Sequence, residues 1–550
     1  MIRKFQEITL VVALCSTLAV SAAAQNASGQ AQVEKFTTES VTVHPNGPEA
    51  LSNATPLTPE EHEFLLERMH QLREANALQK GPLLPGPQAV IPSNQRETTA
   101  TTTDEALVEP PAASDFFMGK NVPYSIVEIG QSSVAEPSIA QSGENWIVTQ
   151  NWSRGYSTNA GSTFTAIPIG SGPSDAPIFC CDQDAVHDHG RDVSIWSETF
   201  IDNAKAPNTG VVRVHVRAAN NLSDACTFDL NGGKGVLYDY AKLGLGNNFL
   251  YVTANRLTNG SWSGAIVWRY NLDEVATCAG SIAGSVFTWT GAVGQVVWVP
   301  ARATIDTMYL VTIENASQNR YFWWPENSGT IHTVLLNVGS SVFSTSKTPP
   351  VCTGGPSGNN WLADWLETST DGFSVRSAVG YDGSASNPST LYLATYYAVK
   401  ANGASRPHAY VAGTIVKLPD MKVLNTADIF NSTTCFSYPD VTANSRGDLG
   451  LAIGFGGSNT GGGPAQSYVG ISDDYNRGTT HGHFKTVFLC APATDNPTRW
   501  GDYLTARVQE PVDVAFTAAT YGVESGAGKV HICEFMRRRY QQAYEDRATK

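Results

Sequence analysis

The sequence predicts an all-β chain folded as a β-propeller. Seven blades are the main count, and six plus an irregular insertion the alternative. Three observations predict it. The first is a recurring phrase: a carboxylate or aromatic residue, an alternating apolar run, a small-residue turn, then a second apolar run. Clear copies start at Glu136, Asp184, Tyr240, Tyr438 and Asp502, with weaker ones near Arg302 and Arg376. Their spacing of 48 to 74 residues marks a repeat architecture. The second is the texture from Ser114 onward, where β-branched and aromatic residues alternate with polar ones between Gly, Asn, Asp and Ser clusters. The third is length. Residues 114–536 divided among seven copies give about 60 each, enough for a four-stranded blade with its loops.

The elements follow in chain order. Met1–Ala24 reads as a secretory signal: Arg3 and Lys4 lead, Ile8–Val20 is apolar, and Ala22–Ala24 supplies the cleavage motif. This predicts a secreted protein, extracellular or periplasmic. Residues 25–113 form an N-terminal segment ahead of the propeller. Within it Gln25–Leu57 is polar and expected to be disordered. Thr58–Leu78 predicts a short helix: Thr58 caps it, Pro59 fits its first position, and Glu61 completes a capping box. Leu65, Met69, Leu72 and Ala75 give it one apolar stripe. Gly81–Ala113, rich in Pro and Thr, reads as a linker. A propeller must close, and Tyr124–Ile129 is expected to supply the missing strand beside Val530–Phe535. Residues 537–550 read as a charged tail, with Arg537–Arg539 as its solvated basic cluster.

Removing Cys15 with the signal leaves eight cysteines, an even count suited to disulfides in an oxidising compartment. Cys226 with Cys278, and Cys435 with Cys490, are the preferred pairs, since each would clip one blade to the next. Cys180 and Cys181 are expected to pair elsewhere, because adjacent cysteines fit disulfide geometry poorly. The formal net charge is −14. Without a basic field, nucleic acid and anionic membrane surfaces are not expected partners. A monomer is expected.

Ser157-Thr158-Asn159-Ala160-Gly161-Ser162-Thr163-Phe164 resembles the Asp-box, S-x-D-x-G-x-T-W, of the sialidase-like secreted propellers. Asn159 replaces the Asp and Phe164 the Trp. Arg499-Trp500-Gly501-Asp502-Tyr503 and Tyr438-Pro439-Asp440 resemble blade-opening phrases of the same group. The resemblance implies the propeller scaffold. The Arg-Ile-Pro string of true sialidases is missing, so sialidase activity itself is not implied.

In a propeller the blade-opening residues converge on one mouth of the central channel. That set includes Glu136, Asp184, Tyr240, Arg302, Asp364, Tyr438, Asp440, Arg499, Asp502 and Tyr503. Aromatics stack on sugar rings and polar groups read hydroxyls, so a glycan or polysaccharide is the expected partner. Glu136, Tyr240, Arg302, Tyr438, Arg499 and Trp500 are the candidate substrate contacts. Asp184, Asp440 and Asp502 are the candidate catalytic carboxylates of a glycoside hydrolase. A polysaccharide lyase would instead pair a base (His187, His189 or Tyr503) with Arg191 or Arg499 on a uronate carboxylate. His187 and His189 also share one strand face, where both could ligate a metal, although a polar turn is the plainer reading of that segment. No cofactor is expected, and structural Ca2+ among the carboxylates is the one cation considered. The alternative to an enzyme is a propeller that binds a glycan or protein without catalysis.

Overall fold

In a computed structural model, described over residues 33–46, 115–126, 134–203, 207–218, 221–290, 298–315, 317–339, 351–362, 375–381, 391–399, 406–418, 420–457, 463–472, 482–484, 486–497 and 500–547, the chain forms seven antiparallel sheets, the blades of one propeller. Thr58–Leu78 and the signal lie outside the described residues.

Each blade begins with its innermost strand: Ser138–Ser142 in blade I, Asp184–Asp188 in II, Val236–Leu245 in III, Thr307–Asn315 in IV, Arg376–Tyr381 in V, Cys435–Ala443 in VI and Thr505–Val508 in VII. Innermost strands touch their neighbours from blade I through III, and from blade IV through VII back to blade I. A strand packed between two blades is covered on both faces. Val193–Ile201 and Cys435–Ala443 are accordingly buried at every residue, polar ones such as Glu198 and Asp440 included. Outermost strands meet solvent and alternate, as Lys422–Thr426 does.

Closure comes from the N-terminal side, as expected, but from an earlier stretch. Phe116–Pro123 pairs antiparallel with Ala527–Arg537 as the outer strand of blade VII. Phe116 fixes this choice by stacking 3.7 Å from Phe488 of blade VI. Tyr124 adds one bond, its N–H donating to Val530 at 2.8 Å.

The segment expected to be disordered contains two strands. Val33–Thr37 pairs with Thr330–Asn337 and supplies the fourth strand of blade IV, which has three of its own. Glu39–Val43 pairs with Ile282–Trp289 as the fifth strand of blade III. Asn46 then bridges to Thr227 of blade II. The residues are polar because an outermost strand shows solvent one face. The inward residues are apolar: Phe36 packs against Phe287 and Trp289, both at 5.7 Å, and Val41 and Val43 pack on the core of blades II and III.

Cys226 and Cys278 are paired as expected. Cys435 instead pairs with Cys352, and Cys490 with Cys533, the latter clipping blade VI to blade VII. Cys180 and Cys181 pair with each other. At the tail, Arg537 is buried, not solvated, and donates to Asp448 at 2.8 Å and to the Ser472 carbonyl at 2.6 Å. In the turn after Ser157, the Ser157 hydroxyl accepts from Gly161 N–H and the Asn159 side-chain oxygen from Thr163 N–H, each at 2.9 Å. Gly161 takes a φ of 81° there, which favours glycine.

Candidate functional site

Three blade openings share a backbone device. Asp182, Tyr240 and Tyr438 each hold a positive φ, 52°, 58° and 51°. In blades III and VI the pairing register shifts at this point, between Asp239 and Lys242 and between Ser437 and Asp440. Such a bulge re-aims the side chains that follow it. Here it delivers Lys242 and Asp440 to the axis, beside Asp184 of blade II.

The axis holds a lattice of buried charge. Arg507 donates to Asp184 at 2.8 Å, Ser138 Oγ donates to the same oxygen at 2.7 Å, and Leu243 N–H donates to the other at 2.9 Å. Burial would raise the Asp184 carboxyl, but Arg507, Arg302 and Lys242 outweigh it and hold the group well below its ordinary range. Asp440 accepts from Ala506 N–H at 2.8 Å and lies between three guanidiniums: Arg302 and Arg507 at 3.7 Å, Arg376 at 3.8 Å. Burial, joined by Arg302, brings Arg507 down to about 10.

A second cluster sits next to the lattice. Glu136 accepts from Asp502 N–H at 2.7 Å. Burial, with Asp502 and Asp182 adding repulsion, pushes its carboxyl well above the carboxylate range. Tyr240 and Tyr503 meet edge to face at 5.7 Å. Arg376 donates to Tyr240 Oη at 2.7 Å, and Tyr503 Oη donates to the Gln183 carbonyl at 2.7 Å. The Lys242 ammonium lies over both rings, 2.9 Å from the centroid of Tyr503 and 4.5 Å from that of Tyr240. Burial above all, with Arg376 adding to it, brings its pKa down to about 7 against the pull of Asp184, Asp182 and Glu136. One carboxyl pushed up by burial therefore shares the cluster with one amine brought down to about 7.

The structure thus brings together Glu136, Asp184, Tyr240, Arg302, Asp440, Asp502 and Tyr503. Lys242, Arg376, Arg507 and Asp182 belong with them and were not among the candidates. A signal for one existed: Lys242 follows Tyr240 as the candidate Asp440 follows Tyr438, in the same phrase.

Other candidates lie apart. Tyr438 and Trp500 are packed with Trp361 and Tyr521 in an apolar cluster, Trp500 at 5.1 Å from Trp361 and 4.5 Å from Tyr521. Arg499 and Asp364 lie outside the described residues. His187 lies three residues along the strand Asp184–Asp188, about 10 Å from Asp184 at ~3.3 Å per residue, and His189 and Arg191 follow past its far end. Burial lowers His187 to about 4, and its Nδ1 is 3.3 Å from Ser194 Oγ. His189 is 3.7 Å from Glu510. Arg191 pairs with Asp188 at 2.9 Å and Asp273 at 2.6 Å. Among the described residues no group of three or more His, Cys, Asp and Glu side chains is placed to hold a metal ion.

No protein-family model matches the sequence, and no curated protein aligns with it significantly. Solved structures do match. An α-L-arabinanase of Penicillium chrysogenum complexed with arabinobiose is 10% identical, covering 77% of this chain and 99% of its own, with a TM-score of 0.36. An α-L-arabinofuranosidase of Fusarium graminearum with arabinobiose is 9% identical over 76% and 98%, TM-score 0.38. A Trypanosoma rangeli sialidase in complex with sialic acid is 10% identical over 63% and 57%, TM-score 0.33. At these identities and scores the likeness carries nothing about residues or reaction.

Proposed function

We propose that this chain is a secreted carbohydrate-active propeller that cleaves a glycan at the axial mouth. The observation that carries the reading is the opposed displacement of Glu136 and Lys242 within one buried cluster drawn from blades I, II, III, V and VII. Groups displaced toward neutrality in this way suit acid–base work at neutral pH. Glu136 is the proton donor to the leaving oxygen. Tyr240 and Tyr503 wall the cluster beside Lys242, and Arg376 is a fixed cation next to them. The four disulfides fit an oxidising compartment outside the cell.

A binding-only propeller is favoured by one observation: Asp184 and Asp440 are already matched by arginines and so can serve as blade carpentry. Incubating the secreted protein with a polysaccharide panel separates the two. New chain ends made by wild type and lost in Glu136→Gln, with binding retained, support the enzyme. Binding without new chain ends from any member of the panel supports the alternative.

A further inference from the structure

Three of the four disulfides join distant parts of the chain, across 52, 83 and 43 residues, and so staple the propeller. Cys180–Cys181 joins neighbours in sequence and staples nothing. The stability a bridge adds grows with the loop it closes, so this one contributes least to the fold. It is also the one whose spacing suits a bridge worst. The peptide between the two residues fixes their Cα atoms 3.8 Å apart, below the range of about 4.4–6.8 Å that bridges ordinarily span, while the other three lie at 6.0 or 6.1 Å. Bridges held outside that range are the more readily reduced.

The bridge leads straight into the axial cluster. Asp182, the next residue, holds a φ of 52°, where a residue other than glycine sits at a cost. Its Oδ2 accepts from Tyr240 N–H at 3.3 Å, and its own N–H donates to Asn151 Oδ1 at 3.2 Å. The Gln183 carbonyl accepts from Tyr503 Oη at 2.7 Å. Tyr240 and Tyr503 are the two rings that cover Lys242. On its other side the bridge is anchored. Cys180 N–H donates to the Thr199 carbonyl at 2.9 Å, and Thr199 N–H donates to the Cys181 carbonyl at 3.3 Å. It therefore stands between a fixed strand of blade II and the two hydrogen bonds that hold the tyrosine wall. Closing a small ring at Cys180–Cys181 freezes the backbone entering Asp182, and opening it returns that freedom.

We propose that Cys180–Cys181 is a dithiol-responsive clasp on the axial cluster. Closed, it holds Asp182 and Gln183 in their bonds to Tyr240 and Tyr503 and keeps Lys242 covered. Opened, it lets that wall part. The clasp stands whether or not the mouth cleaves a glycan. One thiolate of a dithiol attacks the Cys181 sulfur, the more exposed of the pair at 9% against 2%, and Cys180 leaves as a thiolate. The second thiolate of the dithiol attacks its own first sulfur in the mixed disulfide and releases Cys181. Two electrons pass to the bridge, the two thiol protons of the reductant end on the two cysteines, and the dithiol ends as a cyclic disulfide. Because no long loop is freed, the fold survives the opening, and an added disulfide oxidant reverses it. An oxidising compartment maintains the closed form. Exposure alone would send a reductant first to Cys226–Cys278, whose Cys278 is half-buried, so the order of opening separates the two expectations.

The test titrates the native protein with dithiothreitol, traps free thiols with N-ethylmaleimide, pulses with an amine-acetylating ester and maps both labels by peptide mass. Cys180 and Cys181 are expected to be trapped first, while the other three bridges stay closed and the protein still melts cooperatively. Lys242, 1% exposed, is expected to acetylate about tenfold faster or more once the bridge opens, as local opening uncovers it. Reoxidation with oxidised dithiothreitol is expected to restore its protection. The double variant Cys180→Ala, Cys181→Ala is expected to label at the reduced wild-type rate without reductant and to ignore dithiothreitol. Another bridge opening first, or Cys180 and Cys181 trapped only as the protein unfolds, overturns the proposal. So does an opened bridge with Lys242 labelled no faster, or a folded double variant that labels at the oxidised wild-type rate. If the double variant does not fold, the wild-type titration decides by the same outcomes.

Discussion

Lys242 Nζ lies 2.9 Å from the centre of the Tyr503 ring, so blades III and VII meet across the axis through a cation and an aromatic face. Tyr503 excludes water from the amine, and burial is the largest cause of its lowered pKa. Tyr503→Phe keeps the ring and loses the bond to the Gln183 carbonyl, an expected loss of about 1 kcal/mol. Tyr503→Ala opens the cage. The acid limb of any pH–rate profile is then expected to move above the wild-type midpoint of about 7, because a hydrated ammonium holds its proton more tightly. An unmoved limb in Tyr503→Ala would separate Lys242 from the profile.

Asp184 and Arg507 pair at 2.8 Å with side chains almost wholly buried. Asp184→Asn strands Arg507 beside Arg302 and Arg376 and is expected to destabilise the fold by about 3–5 kcal/mol, the usual result of breaking a buried pair. Because the folded-state pKa is depressed, this stability is fully present above the ordinary aspartate pKa and fades as pH falls below it. Urea unfolding at neutral pH and again in acid measures both. The gap between variant and wild type is expected to narrow in acid.

The propeller was legible in the sequence because each blade repeats one hydrophobic phrase, and closure by an N-terminal strand follows from topology. The strap at Val33–Val43 was not legible. An outermost strand is polar on its open face, and its composition matches that of a disordered tail. The candidate site was legible in half. Glu136, Asp184, Tyr240 and Asp440 open or follow the phrase, so periodicity found them. Periodicity cannot tell which carboxylate an arginine from another blade will claim, and Arg507 takes Asp184 across 323 residues of chain. The dense His187–Asp192 segment lies apart from that cluster for a related reason. Polar residues adjacent in sequence lie along the strand, and its far end is remote from Asp184.

Blade II carries a second buried network that the proposed chemistry does not use. Glu198 accepts from His215 Nε2 at 2.5 Å and pairs with Arg154 of blade I, all three buried. Burial would raise Glu198, but Arg154 and His215 prevail and bring it to about 2. Its stabilisation is therefore complete above the unfolded glutamate value and lost as pH falls toward 2. Glu198→Gln is expected to cost about 3–5 kcal/mol at neutral pH, since it leaves buried cations unmatched. Thermal melts at neutral pH check this, and a variant within about 0.5 kcal/mol of wild type would remove the network from the stability account.

The strap makes the most exposed wager. Blade IV owns three strands, and Val33–Thr37 covers the open edge of Thr330–Asn337. An uncovered edge offers unpaired N–H and C=O groups to any extended chain. Deleting residues 33–46 is therefore expected to leave a folded propeller that self-associates as concentration rises, seen by light scattering. Phe36→Ala is the milder form. It keeps the backbone pairing and removes one partly buried ring from Phe287 and Trp289, an expected loss of about 1–3 kcal/mol. If the deletion variant stays monomeric and melts with wild type, the strap decorates the propeller and does not complete it.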